Sequence, residues 1–108
     1  LHVVDLDGSS AAGKGGRWDA TVTITVHDAN DAAYGEATVS GVWDGSTSGS
    51  CTTGGNGQCA ITLKNIRNAA AVTFRVNDLG AIGATYDSGA NTDPDGDSDG
   101  TEITIFQP

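Results

Sequence analysis

The sequence predicts an all-β protein, an antiparallel β-sandwich of about seven short strands. Three observations lead there. Apolar and polar residues alternate in short runs, as half-buried strands require. Turn signals interrupt these runs often, with 16 glycines in 108 residues. No apolar stripe of helical period is present. The length suits one domain spanning residues 1–108 with a modest core.

Taken in order, Leu1 to Asp5 reads as a short extended segment, and GSSAAGKGG (residues 8–16) as a flexible loop. WDATVTITVHD alternates cleanly. Trp18, Ala20, Val22, Ile24 and Val26 face one way, and Asp19, Thr21, Thr23 and Thr25 the other. HDANDAAYGE is turn-rich. EATVSGVWD puts Ala37, Val39, Gly41 and Trp43 on one face. GSTSGSC then leads to Asn56-Gly57, a hairpin signal between two strand-like runs. The return strand CAITLKNI places Cys59, Ile61 and Leu63 together. In AAVTFRVND, Val72, Phe74 and Val76 point inward. AIGATYD reads as a weaker strand. TEITIFQP closes the chain with Ile103 and Ile105 on one face and Phe106 out of phase. Trp18 and Trp43 fall on apolar faces and are expected in the core. Several short strands separated by frequent turns form a sandwich rather than a helical layer.

Charge narrows the function. Fourteen acidic against five basic residues give a net charge of −9. Nucleic acid phosphates demand a basic face, and anionic membrane surfaces do too; neither partner is expected. No apolar run approaches the roughly 18 residues of a membrane helix. Five of the acids fall between Asp93 and Glu102, so the excess is local and suggests a bound cation.

Cys51 and Cys59 flank the Asn56-Gly57 turn. Cysteines facing each other across a hairpin can meet disulfide geometry. The rival reading is a metal pair, but CxxC spacing and a histidine partner are absent. A disulfide implies an oxidising compartment and so a secreted, extracellular protein.

The stretch DPDGDSDG carries Asp93, Asp95, Asp97 and Asp99 at alternate positions. From Asp95 onward it fits D-x-[DN]-x-[DN]-G, the first half of a calcium loop. Calcium takes six to eight oxygens, and alternate carboxylates of a tight loop can converge on one ion. Gly100 would permit the turn, and the Thr101 carbonyl would be a further ligand. Phe106 stands where an EF-hand needs its twelfth-position acid, so the remaining ligands come from elsewhere. Asp5 and Asp7, in DLDG, repeat the theme at the other end, with Asn91 and Asp87 as extra candidates. The two ends are expected to meet at one pole around calcium. A solvated acidic loop is the plainer alternative.

Tyr34 and Tyr86 sit in or near turns and are candidate ligand contacts, for instance by stacking on sugar rings. Only six aromatics exist and none cluster in sequence. His2 and His27 come with no nucleophile motif, so no catalytic residue is assigned and the chain is expected not to be an enzyme.

ATVTITVHDAN, GEATVSGVW, GQCAITL and AVTFRV together resemble bacterial immunoglobulin-like modules of the invasin/intimin type. VVDLDGSS, WDATV, the cysteine pair and DPDGDSDGTEIT more closely resemble C-terminal accessory modules of secreted bacterial hydrolases, peptidases in particular. The likeness covers nearly the whole chain. It departs at HDANDAAYGEATV, which lacks the proline-containing turn of such modules. The resemblance implies an immunoglobulin-like sandwich. It also implies a non-catalytic accessory role beside a catalytic domain of the parent protein, as spacer, stabiliser or substrate-targeting unit, and identifies no ligand; calcium stabilisation is the expectation from the aspartate motif. A module that binds polysaccharide or another extracellular polymer is the alternative, and an adhesin-type repeat a third. Gln107-Pro108 and the aspartate ends favour a closing, monomeric domain over one bead of a string.

Overall fold

The computed structural model describes residues 1–93 and 98–108. Seven strands form two antiparallel sheets. They are β1 (His2–Ala12), β2 (Trp18–His27), β3 (Thr38–Trp43), β4 (Thr47–Thr52), β5 (Gln58–Ile66), β6 (Ala71–Gly80) and β7 (Glu102–Phe106). One sheet has the order β1-β2-β5 and the other β4-β3-β6-β7. This is the expected immunoglobulin-like β-sandwich. Its fourth strand pairs with β3 instead of joining the β1-β2-β5 sheet, as the constant-type arrangement would have it.

The core lies between the sheets, and its phasing matches the alternation in the sequence. Trp18, Val22, Ile24 and Val26 of β2 are buried, as are Val39 and Trp43 of β3, Phe74 of β6, and Ile103 and Ile105 of β7. Trp43 and Phe74 pack with ring centroids 5.0 Å apart. Such tilted pairs contribute about 0.5–1.5 kcal/mol beyond the area they bury. Strict alternation breaks three times, once in β5, where Ile61 and Ile66 are both buried across a register shift opposite Trp18 and Ala20, and twice elsewhere. Val3 and Leu6 are both buried, as are Val76 and Leu79. Register shifts lie between Val3 and Asp5, and beside Gly41 opposite Val76. Each bulge adds one residue and returns the next apolar side chain to the core. The sequences VVDL and VNDL already carry this signal as a spacing of three between apolar residues.

Three expectations are corrected. Residues 8–12 are strand, not loop: Gly8 to Ala12 pair with Val22 to Trp18, and only residues 13–17 turn. Small side chains hid this strand, since Gly, Ser and Ala show no apolar alternation. AIGATYD is not a strand; it holds a single bridge, Ala81 with Ala84, followed by a short 3₁₀ turn at Ser88–Ala90. Asn56-Gly57 does not close a hairpin of paired strands. Its turn is tight, with Gly57 N–H donating to Gly54 O at 2.9 Å, yet β4 and β5 belong to different sheets. The hairpin here is β3–β4, turning at Asp44-Gly45, both with positive φ (51° and 74°). Asp-Gly is itself a strong signal for such a turn.

The Cys51–Cys59 disulfide is present, with Cα atoms 5.9 Å apart. It joins β4 to β5 and therefore ties one sheet to the other along one side of the sandwich.

Candidate cation-binding loop

The connection from β6 to β7 carries the aspartates, and its first half is strapped to β1. Leu1 N donates to Thr85 O (2.6 Å), and Asp87 N–H donates to Leu1 O (2.7 Å). Thr92 N–H donates to Val3 O (2.8 Å). Later residues of the strap meet later residues of β1, so the two segments run in the same direction. Asn91 joins them. Its Oδ1 accepts from Val3 N–H (2.8 Å), while its Nδ2 donates to Tyr86 Oη (2.6 Å) and Thr101 Oγ1 (3.0 Å). The Asn91 side chain, a candidate ion ligand in the sequence, thus holds both ends of the loop to β1.

Beyond the strap, Ser98 Oγ donates to Asp93 Oδ2, and Gly100 N–H donates to Ser98 Oγ (3.0 Å). Asp99 Oδ1 accepts from Glu102 N–H (2.8 Å) and Thr101 N–H (2.9 Å). These two bonds hold its carboxyl below the usual aspartate range, Glu102 N–H having the larger effect. Gly100 has φ +86°, and a Cβ there would lie 2.7 Å from Thr92 N. Only glycine lets the loop's return limb press against the strap. The Thr101 carbonyl accepts from Val76 N–H (2.8 Å), so this candidate ligand atom also serves the sheet.

Asp5 and Asp7 lie on β1 opposite Thr25 and Thr23. They face away from the core, alternating with buried Leu6. Asp5 and Asp93 each keep one carboxylate oxygen out of contact with solvent. Asp95 and Asp97 lie outside the described residues. Among the described residues, no three His, Cys, Asp or Glu side chains are grouped to hold a metal ion.

Tyr34 and Tyr86 are half-buried and pack against the core. Tyr34 O accepts from the buried Thr53 hydroxyl (2.7 Å).

A second polar group went unnoticed in the sequence because its members are distant along the chain. His2 and His27 are cross-strand partners, and both approach Asp31 at the β2–β3 turn. Asp31 Oδ1 is 3.0 Å from His27 Nδ1 and 3.7 Å from His2 Nε2. The hydrogen bond with His27 lowers the Asp31 pKa from its ordinary 3.8. A lowered pKa means stability present above the ordinary value and lost as pH falls through the lowered one. Asp31→Asn should therefore flatten the most acidic part of a plot of melting temperature against pH. The effect should be small, since Asp31 is exposed. An unchanged acid limb would show that this pairing adds nothing.

No helix among the described residues is long and apolar enough to cross a membrane. Comparison with protein families, curated proteins and solved structures found no match to this chain.

Proposed function

We propose that this domain is a non-catalytic, calcium-stabilised accessory module of a secreted bacterial enzyme. One observation carries the calcium reading. The strap runs along β1 towards Asp5 and delivers Asp93 at its end, and both acids have a carboxylate oxygen shielded from water. Asp95, Asp97 and Asp99 follow directly in sequence. Negative charge gathered in this way is answered best by a cation with many oxygen ligands, and calcium suits carboxylates better than magnesium does. The disulfide supports an oxidising, extracellular setting. Attachment to a hydrolase rests on the resemblance of VVDLDGSS, WDATV and DPDGDSDGTEIT.

The test is thermal melting in EDTA, in millimolar calcium and in millimolar magnesium. Calcium should raise the melting temperature and magnesium should do so far less. A ligand that binds only the native state adds about 2.7 kcal/mol at a hundredfold excess over Kd. Asp97→Ala should remove the calcium-dependent rise and leave the EDTA melt nearly unchanged. Equal melts in all three solutions would make the stretch a solvated acidic loop.

A further inference from the structure

The two sides of the sandwich are finished differently. On one side β4 and β5 are stapled by Cys51–Cys59. On the other, the edge strands are β1 and β7. There the strap covers only the first residues of β1, using the outward backbone groups of Val3. Further along, a groove of about 270 Å³ lies between Gly8–Ser10 of β1 and Ile103–Phe106 of β7. Phe106, at its lip, is 68% exposed.

Ladder parity shows what this groove presents. Val76 N–H donates to Thr101 O and Gln107 N–H to Ala70 O, continuing the β6–β7 register. Hydrogen-bonded pairs alternate in an antiparallel ladder. Ile103 and Ile105 therefore bond to β6, and the backbone groups of Glu102, Thr104 and Phe106 point to the open edge. Asp99 already takes the Glu102 N–H, which agrees with this assignment. On β2, Val26 N–H donates to Gly57 O. The same parity turns Val22 and Ile24 to β5, and leaves Gly8 and Ser10 of β1 facing the groove. The floor is low because Gly8 has no side chain; a Cβ there would stand 2.7 Å from Ile105 Cγ1.

We propose that this groove is a strand-addition site for an extended segment of a partner polypeptide. The seam is already closed at its other end by residues 85–92, which bond to the backbone of Leu1 and Val3 on either side of a 3₁₀ turn, so this edge already takes main-chain hydrogen bonds. Every ladder among the described residues is antiparallel, and the added strand is taken to be so too. Its alternate side chains would turn inward over Gly8 and Ile105 and must be apolar. Its C-terminal end would lie beside Glu102 and Asp99 and carries lysine or arginine. Charge argues against a second copy as occupant, since each copy brings −9. Main-chain bonds would supply affinity and the inward side chains specificity.

The probe is a fluorescent heptapeptide, Thr-Val-Thr-Val-Thr-Lys-Lys, titrated by anisotropy against the intact, disulfide-bonded chain. Saturable binding is expected. One edge of the added strand would face β7 and the other Gly8 and Ser10 of β1. N-methylation of alternate residues in either frame should therefore weaken binding about tenfold. Thr104→Pro, which removes an outward N–H, should weaken it by a similar factor, while Thr104→Ala should not. No saturable binding, or binding unchanged by methylation in either frame, overturns the proposal; the latter would mean adsorption to an acidic surface. A dimer formed without peptide and abolished by Thr104→Pro would assign the groove to a second copy, and would equally overturn it.

Discussion

Gly41→Ala should lower the melting temperature by roughly 15 °C or more, the effect of losing about 3 kcal/mol from a domain of this size. The reason is close approach. A Cβ at Gly41 would lie 2.3 Å from Phe74 Cζ and 2.4 Å from Arg75 O. Neither neighbour can give way cheaply. Phe74 is fully buried and packs on Trp43, and Arg75 O belongs to the backbone of the paired strand β6. Total stabilities of such domains are only about 5–15 kcal/mol, so a loss of this size removes much of the margin. Ser40→Ala, one position away and pointing to the outer face, should stay within about 0.5 kcal/mol and is the control. A Gly41→Ala protein that melts with the parent would mean β3 and β6 can part locally at no cost, against the packing described.

Reducing the Cys51–Cys59 disulfide should cost about 2.5 kcal/mol, the chain-entropy value for a nine-residue loop. That corresponds to roughly 10 °C or more in melting temperature. The structure adds a further expectation that loop length alone does not give. The bond joins strands of different sheets, and Gly49 of β4 already lies close under Ile61 of β5. Reduction should therefore raise amide exchange first in β4, an edge strand, before β2 and β6 respond. A Cys51→Ala/Cys59→Ala protein should behave as the reduced parent does. Exchange rising uniformly through both sheets would contradict a local seam and leave only the global entropy term.

What the sequence determined by itself was the fold class and the inward face of the main strands. Trp18 to Val26, Val39 to Trp43, Val72 to Val76 and Ile103 with Ile105 are all buried as their alternation requires. Burial on one face of a strand is a local, period-two property, so it can be read from neighbours in the chain. The two cysteines were legible as a disulfide for a similar reason, since a tight turn keeps them close whichever sheets they serve. Residues whose roles depend on distant partners could not be read this way. Gly8 to Ala12 is strand because β2 lies beside it, and β4 and β5 part after their shared turn because each finds a different sheet. Asn91 looked like an ion ligand, and only the tertiary structure commits its amide to Val3, Tyr86 and Thr101. His2, His27 and Asp31 meet only because β1 and β2 are in register. Hydrogen bonds are short and directional, and chain spacing does not encode which distant group will stand within reach of a donor. The aspartate run could be recognised as a calcium-type sequence; that the segment before it, residues 85–92, is strapped to the start of β1 was decided by the fold.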